Sequence, residues 1–272
     1  MVFDIQKFAE SWQCAWRDIR ESFSKYHLVS TMARQDIATR YKRSRIGAFW
    51  ISIGMAISIG CIGLVFGQIF KIPVREFLPY FATGTILWGF ISSCLNEGCG
   101  SFISSSGVIL QVRMPLFVHV LRLLQKDSII LAHNIVILPL VFFVFLYPVN
   151  ARCLLAIPGF LLLLANLAWM VLILGTVCAR FRDVTQIVQN AVGVLYFVTP
   201  IMWNPDLMPG RAGQLLLNYN PFYHLLSIVR APLLGELPHT INWIFAAGMA
   251  LVGWTIALQV FGRFRNRIAY WL

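Results

Sequence analysis

The sequence predicts an all-α integral membrane protein with six transmembrane helices, an N-terminal amphipathic interfacial helix, and short helices between spans five and six. Three observations carry that expectation. The 272 residues are 58% hydrophobic and only 12% charged, with a mean hydropathy of +0.73. A soluble domain of this size carries about twice that charge. The apolar residues gather into six runs near the roughly 20 residues that a bilayer-crossing helix needs. The basic residues are placed asymmetrically between those runs.

Residues 1–28 form the amphipathic segment. Ile5, Phe8, Trp12, Trp16, Ile19, Phe23 and Tyr26 recur at spacings of three and four, one stripe of a helix. Asp4, Lys7, Glu10, Arg17, Asp18, Arg20, Glu21 and Lys25 occupy the other faces. Charges interrupt the segment throughout, so it is no signal peptide. An aromatic-rich stripe suits the membrane interface, and a protein partner would also suit it. Residues 29–46 follow as a basic segment, with Arg34, Arg40, Lys42, Arg43 and Arg45 against one acid, Asp36.

The spans are expected at about 47–70, 78–98, 115–147, 153–178, 184–203 and 241–262. The third is apolar from 128 onward and starts earlier because Pro115 suits a first helical turn. Gly60, Gly63 and Gly67 share a face of the first span, a pattern for close helix packing. His133 and Asn134 fall inside the third, where a helix–helix hydrogen bond is the expected role. Residues 204–240 are rich in Pro and Gly, with short apolar pieces meeting at Asn220-Pro221. They predict two short helices at the outer leaflet.

Seventeen Lys and Arg lie on the side of both termini and five on the other. The positive-inside rule therefore makes both termini cytoplasmic. The net charge of +11 and pI near 9.8 would point to nucleic acid in a soluble protein. Here the charge is spread over four segments, which excludes a single nucleic-acid face. The six cysteines form no CxxC pair and read as small hydrophobes. The sequence has no GxxxxGK[ST], HExxH or GxSxG pattern, so no catalytic or metal residue is expected. Acids near the middle of the spans are nearly absent, which argues against proton- or sodium-coupled transport. The energy has to come from elsewhere.

Four stretches together resemble one family: "DIATRYKRSRIGAFW" entering span one, "VILQVRMPLFVHVLRLLQKDSIILAHN" into span three, "ARFRDVTQIVQN" between spans four and five, and "TPIMW…NYNPFYHLLSIVRAPLLGE" after span five. The chain resembles the permease subunits of ABC polysaccharide exporters, most closely those for the O-antigen of lipopolysaccharide. It departs from the usual pattern at Gln35, where the family has Arg, and at Met55, where it has Pro.

The resemblance implies a transport subunit of the bacterial inner membrane that is not itself an enzyme. Two copies would form a channel lined mainly by spans one and five, with two copies of a separate ATPase that holds ATP and Mg. The cargo would be an undecaprenyl-pyrophosphate-linked polysaccharide. Residues 104–113 would couple to the ATPase through Ser104, Ser105, Ser106, Gly107, Val108, Leu110 and Arg113. Arg180, Arg182 and Asp183 would form a cytoplasmic turn, and residues 204–236 a periplasmic gate. Arg34, Arg40, Tyr41, Lys42, Arg43 and Arg45 are candidates to grip the lipid pyrophosphate. Anchoring of span one on anionic lipid explains the same residues.

Phe49, Trp50, Phe66, Phe70, Trp88, Tyr196, Phe197 and Trp203 are candidates for an aromatic sugar conduit, or else for interfacial belts. Other ABC permeases, for capsule, teichoic acid, a small lipid or a drug, share this architecture. A membrane-embedded glycosyl- or acyltransferase would need clustered acids or histidines, which are not evident.

Overall fold

A computed structural model describes residues 5–42, 49–148, 150–205, 210, 213 and 217–272, and all regular structure among them is helical. Among the described residues, five helices are long and apolar enough to cross a membrane. They are α3 (Phe49–Phe70), α4 (Val74–Cys99), α6 with α7 (Phe117–Ile135 and Ile137–Val144), α8 (Ala156–Arg180) with the 3-10 turn before it (Ala151–Leu155), and α11 (Thr240–Trp271). Two helices precede them, α1 (Ile5–Ser24) and α2 (Tyr26–Tyr41). The short helix α5 (Ser106–Gln111) follows α4, and α9 (Val184–Val198) and α10 (Pro221–Leu233) lie between α8 and α11.

Local chemistry explains most of these boundaries. α3 closes with Lys71 in the left-handed region at φ 55°, and Ile72 N–H reaches back to the Gly67 carbonyl at 3.1 Å. The third span breaks at Val136 because Pro139 has no N–H for the Ile135 carbonyl and its ring crowds that turn. α9 stops at Val198 because the residue before Pro200 is driven to extended backbone. Its fifteen residues reach roughly 22 Å, short of the ~30 Å hydrocarbon layer. The expected fifth span, 184–203, is thus helical only to 198. The second span begins earlier than expected, at Val74, and the last runs on to Trp271, carrying Arg263, Arg265 and Arg267 on an unbroken helix.

α4 and α8 pack on each other and form the centre. α3 and α9 contact α4, while α10 and α11 contact α8, and α6 touches both central helices. α3 approaches closely at Gly63, where a Cβ would press on the Leu78 side chain, so the expected tight face is real at that position. Gly60 of the same face meets open space. Asn166, fully buried on α8, donates to the Ala246 carbonyl of α11 at 3.1 Å.

The first two helices are separate elements: α1 ends at Ser24, and α2, from Tyr26 to Tyr41, includes most of the basic segment 29–46. The apolar stripe of α1 is only partly buried: Ile19 faces inward, while Trp16 and Phe23 are 57% and 59% exposed. Ala15, Asp18 and Ser22 face inward beside Ile19. Asp18, assigned by periodicity to a polar face, is 1% exposed. Its carboxylate accepts the N–H of Leu116 at 3.1 Å and of Phe117 at 2.9 Å, satisfying the first turn of α6. Arg265 Nε of α11 donates to the same group at 2.6 Å. α1 can settle there because Gly262 faces the Ser11 carbonyl, a place where any Cβ would collide.

On the opposite face, α10 is enclosed by α4, α8 and α11 rather than lying at the surface. Asn220 caps it by accepting from Phe222 N–H at 3.0 Å, and donates to Thr199 Oγ1 at 3.0 Å. Arg230, only 5% exposed, donates to the Pro200 carbonyl at 2.6 Å and lies 4.2 Å over the Tyr80 ring. The Tyr80 hydroxyl donates to Pro200 O as well, at 3.1 Å. These contacts fix the end of α9 to α10 and α4. Residues 206–209, 211–212 and 214–216 of the expected gate region lie outside the described residues.

Replacing Asp18 by Ala leaves Arg265 and two helix-start amides without their acceptor. The expected loss is about 3 kcal/mol of stability, read as a lowered unfolding midpoint of the purified protein in detergent. Glu21→Ala, on the exposed side of the same helix, is expected to stay within about 0.5 kcal/mol of wild type.

Candidate functional site

The residues expected to act lie on two surfaces. One is the face that carries both termini. There Arg34 and Arg40 are exposed on α2, and Lys42 follows it, also exposed. Arg43 and Arg45 lie outside the described residues, as does the side chain of Tyr41. The segment is tied down by ion pairs that sequence reading did not anticipate. Asp36 of α2 pairs with Arg122 of α6, with Arg122 Nε 2.6 Å from Oδ2. Lys126 of α6 pairs with Glu97 at the end of α4 and lies 3.3 Å from buried Asp127. α2, α4 and α6 thus share one charged cluster.

The same face carries the segment expected to couple. Its first residues form a turn closed by the 2.8 Å bond from Ser104 N–H to the Gly100 carbonyl. α5 then offers Leu110, followed by Val112 and Arg113, to the outside. Ser104 and Gly107 are exposed, Ser105 is buried, and Ser106 and Val108 are half-buried. α5 is thus a short helix with an exposed apolar tip, following a hydrogen-bonded turn. Beside it, Arg180 sits 5.0 Å over Phe181 and 5.5 Å over Trp271, while Arg182 and Asp183 are exposed.

The second surface is formed by α3 and α9. Only Val192 of α9 is buried, and most of α3 is uncovered. Gly54, Ser58, Cys61, Val65 and Gln68 are exposed at spacings of four and three, one stripe of α3. Gln186, Asn190, Gly193 and Phe197 make the equivalent stripe on α9, with Gln186 bonded to Asn190 at 3.3 Å. Polar side chains on an uncovered membrane helix are expensive in lipid and face a partner or water. Sequence reading missed both stripes because it searched these segments for aromatics.

The aromatic candidates divide. Phe49, Trp50 and Phe197 are exposed, and Phe66, Tyr196 and Trp203 are half-buried. The Phe70 side chain lies outside the described residues. Trp88 belongs to the core, edge-on to Phe222 at 5.7 Å and tilted against Tyr196 at 6.2 Å. In the third span, Ser52 of α3 donates to Asn134 Oδ1 at 3.2 Å, an interhelical bond of the kind expected. His133 instead turns its Nδ1 to the Ile129 carbonyl of its own helix.

Residues 27–234 match the family described as ABC-2 type transporter. The chain belongs to that family. Among curated relatives, it is 20% identical over 249 residues to the "O-antigen export system permease protein RfbA" of Klebsiella pneumoniae, covering 90% of this chain and 94% of that one. It is 22% identical over 226 residues to the protein of the same name from Myxococcus xanthus, covering 79% and 83%. The matched family region runs from the start of α2 to the end of α10. It includes the charged cluster, α5 and both stripes. This ABC-2 transporter chain is a multi-pass membrane protein and a transport component.

The Asp36–Arg122 pair is about a quarter exposed on each side, so solvent screens it. A double-mutant cycle of Asp36→Ala and Arg122→Ala in the purified protein is expected to give a coupling of about 0.5–1 kcal/mol.

Proposed function

We propose that this chain is the membrane subunit of an ATP-driven exporter of undecaprenyl-pyrophosphate-linked O-antigen polysaccharide. It works as a dimer in the bacterial inner membrane, with both termini cytoplasmic and two copies of a separate ABC ATPase beneath it. The observation that carries this reading is the pair of small-and-polar stripes on α3 and α9, two helices that each pack on α4 and are uncovered in the single chain. Such stripes suit the wall of a water-filled path completed by a second copy. The nature of the cargo follows the printed names of the relatives.

On this reading α9 is a fifth, short span, followed by the bent segment Thr199–Trp203. Small residues such as Gly54, Ser58 and Gly193 leave width for a sugar chain, and Gln186 and Asn190 exchange hydrogen bonds with its hydroxyls. Phe197, with Trp203 Nε1 donating to its carbonyl at 3.0 Å, offers a flat apolar surface near the outer end. The α10 region, held by Arg230 and Asn220, forms the floor of a periplasmic gate. α5 docks on the ATPase and passes its movement to α4 and α6. Arg34, Arg40, Tyr41, Lys42, Arg43 and Arg45 meet the lipid pyrophosphate at the inner interface.

Deletion of the gene is expected to leave lipid-linked polymer on the inner side of the membrane, and Asn190→Trp to do the same without loss of ATPase assembly. A variant keeping only Cys61, which is exposed on the α3 stripe, should react with a membrane-impermeant thiol reagent in the assembled transporter. Normal surface polymer in the deletion strain would sink the exporter reading. An unreactive Cys61 would sink the water-filled path.

A further inference from the structure

Three large aromatic side chains of the first two helices are exposed together, Trp16 at 57%, Phe23 at 59% and Tyr26 at 57%. All three border one groove of about 690 Å³. Its other walls are Leu121 and Leu124 of α6, Leu161 and Ala165 of α8, and Trp254 of α11. Trp254 Nε1 donates to the Ala165 carbonyl at 3.0 Å, which ties the α8 and α11 walls together. At Ser128 and Leu161 the groove meets a second apolar cleft of about 320 Å³, since both residues line both spaces. That cleft continues along α6 and α8 to Ile135 and Ala156. Phe117 to Ile135, the length of α6, is roughly 27 Å.

A groove between spanning helices takes either a lipid tail or a helix of a partner. α1 decides between them. It packs on both α6 and α11, so it bridges two walls at one end of the groove. A spanning helix about 10 Å wide would run into that bridge, whereas a flexible tail passes it. A tail of one leaflet needs about half of the ~30 Å hydrocarbon thickness, and the groove is longer than that.

The polar side chains at the groove select the head. Only one end of the Gln125 amide is engaged, with Nε2 donating to the Tyr26 hydroxyl at 3.4 Å. Gln125 Oε1 is buried and has no hydrogen-bond partner among the described residues. An unmet buried acceptor is costly, and a hydroxyl on the ligand would meet it. Lys25 supplies the charge. It lies between Phe23 and Tyr26 at the joint of α1 and α2, exposed and without an ion pair among the described residues. The cations beside Gln125 on α6 are already matched, Arg122 by Asp36 and Lys126 by Glu97. An unmatched cation favours an anionic head over a zwitterionic one.

We propose that this groove binds one anionic, hydroxyl-headed phospholipid of the bilayer, phosphatidylglycerol. Its tail lies between α6 and α8 against Trp16 and Phe23, and its head meets Lys25 and Gln125. The lipid covers the aromatic side of α1 that the chain itself leaves exposed. No residue assigned above to the lipid pyrophosphate lines this groove, and the proposal does not rest on any exported cargo.

The test is native mass spectrometry of the full chain in detergent, with phosphatidylglycerol, phosphatidylethanolamine or phosphatidylcholine of matched tails added. Phosphatidylglycerol is expected to be retained at least about fivefold more strongly than the other two, the weight of one cation beside an anionic head. Lys25→Gln, at an exposed side chain, is expected to remove that preference. Ala165→Phe fills the groove and is expected to weaken phosphatidylglycerol at least about tenfold, since losing two tail methylenes already costs that much. Unfolding midpoints are measured alongside. If Ala165→Phe lowers its midpoint, Leu161→Trp, at an exposed position on the same wall, carries the same expectation.

Equal retention of the three lipids overturns the proposal and leaves the groove to a partner helix. Phosphatidylglycerol binding that either Lys25→Gln or the groove-filling variant leaves unchanged overturns it too. Because retention is measured without export, this failure is separable from failure of the exporter reading.

Discussion

The arrangement of the terminal face depends on one buried carboxylate. Asp18 lies almost wholly out of solvent and accepts from two backbone amides of α6 and from Arg265 of α11. A carboxylate this deeply buried is unfavourable unless its charge and lone pairs are met. Here a cation and the positive end of a helix meet them together. The consequence is geometric. The amphipathic helix is locked against the last span and the start of the third. Its aromatic side is then left facing outward, where Trp16, Phe23 and Tyr26 suit the membrane interface.

From that fixed point the rest of the face follows. α2 continues almost directly from α1, so its Asp36 meets Arg122 about one and a half turns beyond the Leu116–Phe117 cap. Lys126, one turn further along α6, meets Glu97 of α4. Charged contacts at successive turns of α6 thus link α1, α2 and α4 to one helix. The serine turn and α5 hang from the end of α4, so they share this frame. At the opposite face, Arg230 does a similar service by binding the end of α9 to α4 and α10 through Pro200 and Tyr80.

Between the two faces the helices divide into a packed centre and uncovered flanks. α4 and α8 supply the centre with large buried side chains such as Phe81, Leu163 and Leu172. α3 and α9 leave most of their surface uncovered although they are apolar. One stripe of each carries small and polar residues, with Ser58 bonded to the Gly54 carbonyl and Gln186 to Asn190. Ser58 and Asn190 are individually unremarkable in the sequence, and their meaning comes from being uncovered together.

How much of this was legible varies by the kind of signal. The apolar runs gave five span helices and the short α9, because each segment's partition into lipid depends on its own composition. Pro139 and Pro200 made breaks where local sterics demand them. Basic residues were legible as an asymmetry, and Asn134 as a polar group needing an interhelical partner, which is Ser52. Asp18 was misplaced because periodicity ranks an acid with the solvent face, and its partners lie 98 to 247 residues away. Trp88 had the composition of a conduit residue but packs in the core, since burial is decided by neighbours such as Phe222 and Tyr196. The sequence by itself determined which segments are helical and apolar and which ends are charged, because those properties are local. Only the tertiary structure decided which charges pair and which stripes stay uncovered, because each depends on helices distant in the chain being brought side by side.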